Sequence, residues 1–251
     1  MFIDTHCHLS CEDYDDIDLI IEENKKAGIE KIIISGCTKE SILESIELSK
    51  KYENVYLTLG YHPSEVSTIT NKDLELLETQ LINTNKVVGI GEIGLDYHYG
   101  KEDMLDQQDL FRKQMVLAEK LNLPVVIHSR DATYDTIQCL KKYRVTGVIH
   151  CFSGSLETAR EYIKMGFVLG IGGVVTFKNS NLKNVVEQIS INDIVLETDS
   201  PYLTPTPYRG KQNSSKYIPL IALEIANLKK ITVSEVAEIT TSTAKKVFNL
   251  D

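Results

Sequence analysis

Phe2-Ile3-Asp4-Thr5-His6-Cys7-His8 opens the chain with an apolar pair that runs into two histidines one residue apart. Phe2 and Ile3 read as a short buried strand, and at an extended strand end residues 6 and 8 point the same way. Two neutral imidazoles so placed can grip one divalent ion. Alone, the pair weighs no more than two incidental polar residues at a strand exit. Its force comes from repetition, because apolar runs that end in ionisable residues recur along the chain.

With Phe2–Asp4, the runs Lys31–Ser35, Val55–Leu59, Val87–Gly91, Val125–Ile127, Gly147–Ile149, Phe167–Ile171 and Asp193–Leu196 make eight strand-like segments. Polar stretches with helical spacing separate them, among them Asp15–Ala27, Lys39–Lys51, Lys72–Ile82, Glu102–Leu121, Thr133–Tyr143, Leu156–Met165 and Leu182–Ile189. In the fourth, Phe111, Met115 and Ala118 recur on one helix face. Two helices follow the last strand, Ile218–Asn227 and Val233–Phe248, the second opened by a Thr232…Glu235 capping box. Eight near-continuous apolar strands alternating with helices predict an α/β fold, a (β/α)8 TIM barrel of parallel strands with outer helices. A doubly wound open sheet is the alternative. No linker or composition break divides the chain, so one domain over residues 1–251 is expected.

The 251 residues are 42% hydrophobic and 25% charged, ordinary values for a globular protein. No apolar run approaches the length of a membrane span, and Asp4, His6 and His8 interrupt the place where a signal peptide would be apolar. Five cysteines, at 7, 11, 37, 139 and 151, follow no zinc-knuckle or disulfide spacing. A reducing, cytoplasmic setting is therefore expected. Cys7 and Cys151 read as small buried fillers turned away from the histidines beside them. The net charge of −9 excludes bulk attraction to nucleic acid. A polyanionic substrate would have to be held locally, by metal ions and a few basic side chains.

Five of the six histidines fall at C-terminal strand ends, the rim on which barrel active sites lie. His6, His8 and Asp199 can hold one ion, since the first and eighth strands meet when a barrel closes. His128 and His150, from adjacent strands, can hold a second, and the two oxygens of Glu92 can bridge both. Such a pair polarises a phosphoryl or carbonyl oxygen and turns a bridging water into hydroxide. Mixed imidazole and carboxylate ligands leave the metal open among magnesium, manganese and zinc.

Each residue also has a plainer reading. Glu92 could be a solvated loop carboxylate, although its flanking glycines permit a close backbone approach to a ligand. The G-x-G-x-x-G string Gly89–Gly94 is not a dinucleotide motif, because no helix opens directly after it. Asp199 could merely turn the chain before Pro201, but its place after the last strand favours a ligand that also takes a proton from the attacking water. Glu197 reads as a buried carboxylate with a partner. Arg130, two residues after His128, offers a guanidinium fork suited to phosphate. Arg209 and Lys211 are further phosphate candidates. Phe152, Tyr202, Tyr208 and His98 could pack or stack on bases.

The chain resembles the TatD-type deoxyribonuclease family of metal-dependent hydrolases, within the amidohydrolase-like barrels. The resemblance is carried in order by Phe2–Leu9, Gly60-Tyr61-His62-Pro63, Gly91–Tyr97, Pro124–Arg130, His150–Gly154, Leu196–Leu203 and Pro207–Asn213. After Asn213, Ser214-Ser215-Lys216 stands where the family often has an acidic residue and a proline. The resemblance implies a TIM barrel, two divalent ions on His6, His8, Glu92, His128, His150 and Asp199, and hydrolysis of DNA phosphodiesters. It also implies a substrate-phosphate contact for His62. The expected activity is a 3′-to-5′ exonuclease on single-stranded DNA, with DNA as the only partner, no membrane and a monomeric chain. The alternatives are an amide or ester hydrolase using the same ions, such as an aminoacyl-tRNA deacylase, and a metal-binding scaffold without catalysis.

Overall fold

Eight parallel strands form one sheet whose spatial order follows the chain from first to eighth. They are β1 Phe2–Cys7, β2 Ile29–Gly36, β3 Val55–Leu59, β4 Val87–Asp96, β5 Val125–Arg130, β6 Gly147–Ile149, β7 Phe167–Ile171 and β8 Ile194–Leu196. The structure, a computed structural model, describes residues 1–100 and 102–251. Helices α1 Ile17–Lys26, α2 Lys39–Lys51, α3 Asn71–Asn83, α4 Met104–Leu121, α5 Thr133–Leu140, α6 Leu156–Lys164 and α7 Leu182–Gln188 alternate with the strands, and α8 Ile218–Lys229 and α9 Val233–Phe248 follow. This is the (β/α)8 barrel, with its helices outside the strands. No described helix is long and apolar enough to cross a membrane.

Capping chemistry sets several helix starts. Thr38 with Ser41, Thr70 with Asp73 and the expected Thr232 with Glu235 each form a reciprocal box at the start of α2, α3 and α9. The larger apolar cluster fills the space between the strands and the outer helices, with Leu77, Phe111, Met115 and Ile225 buried against strand residues.

Inside the barrel the side chains are sorted by height. Val126, Val148 and Val195 lie two residues before His128, His150 and Glu197, so on each strand the pair shares a face. The valines join Ile3, Ile33, Ala244 and Phe248 in a separate apolar cluster at the foot. Helix α9 thus plugs the bottom, packing on β1, β6 and β8, while the ionisable layer stands at the C-terminal rim. Ile33 is fully buried in that plug. Ile33→Val should therefore cost about 0.5–1.5 kcal/mol of unfolding free energy, read from the urea midpoint. An unchanged midpoint would mean that the foot is loosely packed.

Four strands are longer than their apolar runs: β1 reaches Cys7 and so carries His6 inside it, β2 spans Ile29–Gly36, and β4 and β5 extend as well. β4 continues five residues past Gly91, so Glu92 lies within the strand rather than after it, and β5 carries His128 inside it. The glycines beside Glu92 explain part of this. Gly91 (φ +148) and Gly94 (φ +146) let β4 lie against β5, where a Cβ would come within 2.6 Å of the Val126 carbonyl oxygen and 1.9 Å of that of His128. The backbone they admit is a neighbouring strand, not a ligand.

No ladder joins β1 to β8 among the described residues. The barrel closes just above, where the N–H groups of Thr198 and Asp199 donate to the His6 carbonyl at 3.3 and 3.0 Å and that of His8 donates to Ser200 at 2.7 Å. Asp4, fully buried, accepts from the Thr198 N–H at 3.0 Å and hydroxyl at 2.6 Å, and from the His6 N–H at 3.3 Å. Asn213 donates to the carbonyls of Thr198 and Tyr202 at 2.9 and 2.5 Å, tying down the long loop after β8.

Candidate metal centre

Glu92 sits at the middle of the rim, 5% exposed, with each oxygen turned to a different set of donors. Its Oε2 is 3.6 Å from Nε2 of both His6 and His8. Those two nitrogens are 3.3 Å apart, and each is 3.6 Å from Asp199 Oδ1. Its Oε1 lies 2.9 Å from His128 Nδ1 and 3.0 Å from His150 Nε2. The structure thus brings together all six residues singled out as ligands around one carboxylate, with His150 also close enough to His6 and Asp199 to share a donor set with them.

The spacing suits divalent ions. Four ligands each about 2.0–2.2 Å from a tetrahedral ion stand about 3.3–3.6 Å apart, the spacing that Nε2 of His6 and of His8 keep from each other, from Glu92 Oε2 and from Asp199 Oδ1. Glu92, His128 and His150 form a second compact donor set. Burial alone would raise the Glu92 carboxyl, but the imidazoles of His150 and His128 outweigh it and hold the acid well below the usual carboxylate range. The carboxylate is therefore kept in its ligating form. Asp199 and Cys151 are held at φ +53° and +45°, left-handed backbone that a non-glycine residue adopts at a cost. One is a candidate ligand and the other follows one.

The imidazoles are oriented from behind. His8 Nδ1 lies 3.2 Å from the Ser35 carbonyl, and His128 Nε2 lies 3.0 Å from Asp96 Oδ2. His150 Nδ1 faces Glu197 Oε1 at 3.7 Å. Glu197 is fully buried, accepts from the Cys151 N–H, and is pushed up to about 8 by burial. His62 reaches the centre too, with Nε2 3.7 Å from Glu92 Oε1. Its Nδ1 accepts from the Ser64 N–H at 3.1 Å, so in the neutral ring Nε2 carries the proton. Burial holds its cation form down, to about 4.

The rim carries cation–aromatic pairs. Arg130 is exposed, with its guanidinium 5.4 Å from the Tyr99 ring centre, and Arg209 lies 3.7 Å over Phe177. Lys211 stands 5.6 Å from Tyr208, and Tyr202, 60% exposed, is 6.4 Å from His8. Phe152 is buried against Tyr162, and His98 pairs with Asp131 at 2.9 Å. Cys7 is buried as expected, whereas Cys151 is only partly so. Asp4 and Asp96 lie within quoted motifs, yet sequence reasoning gave them no part. The signal for Asp96 was its strand register opposite Arg130, which no single run displays.

A barrel rim with this donor set defines a metal-dependent hydrolase. The chain belongs to the TatD family: the family described as TatD related DNase matches residues 3–249. It is 43% identical, over the whole of both chains, to YabD of Bacillus subtilis, an uncharacterised metal-dependent hydrolase. It is 33% identical to YcfH of Escherichia coli K12, likewise so described, covering 99% of this chain and 96% of the relative. The crystal structure of YjjV, a TatD homologue from Escherichia coli K12, superposes with a TM-score of 0.93 at 30% identity, covering 100% and 98% of the two chains.

Proposed function

We propose that this hydrolase is a deoxyribonuclease that removes nucleotides from the 3′ end of single-stranded DNA, as a cytoplasmic monomer. The observation that carries this reading is the division of the Glu92 oxygens between two donor sets. His6, His8, Asp199 and Glu92 Oε2 would hold one divalent ion, and His128, His150 and Glu92 Oε1 the other, as magnesium, manganese or zinc. Bound there, the ions would polarise the scissile phosphate and lower the pKa of the attacking water.

The side chains supply the remaining steps. Asp199 turns Oδ1 to the two imidazoles, which leaves Oδ2 to accept the proton of the attacking water. His62 Nε2–H donates to a non-bridging phosphate oxygen, favouring the charge that develops in the transition state. Arg130 and Arg209 hold flanking phosphates, and the aromatic rings beside them offer sequence-tolerant stacking surfaces for bases. With a net charge of −9, capture depends on these local groups and weakens with salt.

The test is digestion of end-labelled single-stranded DNA by chelated protein to which magnesium, manganese or zinc is returned. Stepwise shortening of the strand from its 3′ end is the expected result. Arg130→Ala should raise KM by roughly tenfold, as loss of a charge-assisted bond of about 1.5–3 kcal/mol allows, and leave kcat little changed. Metal-dependent cleavage of an aminoacyl ester or a cyclic amide, with DNA left intact, would overturn the nuclease reading.

A further inference from the structure

We propose that Asp96 is a positioning residue: its carboxylate keeps the His128 proton on Nε2, so that the Nδ1 lone pair is the one turned toward Glu92 and the ion they share. Granted the ligand set proposed above, His128 differs from its neighbours. His6, His8 and His150 present Nε2 to the centre, whereas His128 presents Nδ1, 2.9 Å from Glu92 Oε1. A neutral imidazole has one N–H and one lone pair, and a hydrogen bond at one nitrogen decides which nitrogen can ligate. The Ser35 carbonyl facing His8 Nδ1 leaves Nε2 free. Asp96 Oδ2, 3.0 Å from His128 Nε2, imposes the opposite choice.

Asp96 is built to hold that position. Its other oxygen accepts from the His98 N–H at 2.9 Å. Its backbone N–H donates to Gln107 Oε1 and its carbonyl accepts from Gln107 Nε2, both at 2.9 Å. Gln107 is itself buried, and Asp96 pairs with Arg130 in the β4–β5 ladder. The carboxylate is therefore fixed from two sides before it meets the imidazole.

His62, Asp96 and His128 also lie close enough together to hold an ion of their own. His62 argues against that use. Its Nδ1 accepts from the Ser64 N–H, so its Nε2 bears the proton and has no lone pair to give.

The test titrates the chelated full-length chain with Co2+, following d–d absorption and counting bound ions. Long-range proton–nitrogen correlations of the Zn2+-loaded protein report the His128 tautomer. The wild type should bind two ions with His128 protonated at Nε2. Asp96→Ala should weaken one of the two by about 10–100-fold and spare the other. Asp96→Asn, which keeps an acceptor oxygen, should recover part of that loss. Unchanged affinities in Asp96→Ala, alongside a weakened His128→Ala, would overturn the positioning role alone. A third ion lost in Asp96→Ala would make Asp96 a ligand and overturn it as well. His128→Ala that binds both ions normally would remove the ligand reading beneath it. Should Asp96→Ala fail to fold, the wild-type spectrum decides, and a proton on His128 Nδ1 refutes the proposal.

Discussion

Glu92→Ala is expected to lower kcat/KM by about 10³-fold or more, because the ions it helps to hold contribute several kcal/mol of transition-state stabilisation. Its two oxygens face different donor sets, Oε2 toward His6 and His8 and Oε1 toward His128 and His150. Alanine removes one ligand from each and leaves four imidazoles without the anion between them. Glu92→Asp is the sharper variant, since a side chain one methylene shorter cannot reach both sets from the same backbone. It should keep one ion and lose the other. Rates on labelled DNA, read beside the number of ions per chain, check both variants. A Glu92→Ala protein within tenfold of the wild-type rate, with both ions bound, would remove the bridging carboxylate from the mechanism.

Gly94→Ala is expected to destabilise the fold by about 3–5 kcal/mol, and to impair ion binding at His128 in whatever fraction folds. The added Cβ would meet the His128 carbonyl oxygen at 1.9 Å and its carbonyl carbon at 2.9 Å. Both atoms are backbone, so no rotamer change relieves the contact, and φ of +146° adds strain of its own. Gly210 provides the control. It also has positive φ, +81°, but nothing lies within 4 Å of its Cβ position. Gly210→Ala should therefore cost only about 1 kcal/mol. Denaturant midpoints of the two variants separate the clash from the backbone strain, and equal midpoints would show that β4 and β5 can part at Gly94 without penalty.

Much of this architecture was legible because a parallel barrel writes itself as alternation. Runs such as Val125–Ile127 and Phe167–Ile171 are apolar on both faces, and the residues just beyond them are forced onto one rim. The grouping of His6, His8 and Asp199 followed from closure of the first strand on the eighth, with no distance known. Strand ends were less legible. β4 runs through Glu92 to Asp96 because two glycines admit β5 alongside, a reason that lies on the neighbouring strand. The parts of Asp4 and Asp96 were hidden for the same cause: each carboxylate acts on a partner fixed by register or closure. Arg209 illustrates the limit for rim charges, since its partner Phe177 comes from the loop after β7, and nothing in either segment alone pairs them.

The seam between β1 and β8 gives the chain a schedule. His6 and His8 precede Asp199 by most of the barrel, yet they face one of its oxygens, and the bonds that fix all three run through Thr198, Ser200 and buried Asp4. The helix that stoppers the barrel below them, α9, follows all eight strands along the chain. A nascent or truncated chain can carry both histidines and still have no four-donor cage, because the first and last strands have not met. Ion capture by all four donors at that position therefore reports closure: the site is armed only when β1 and the segment after β8 have met.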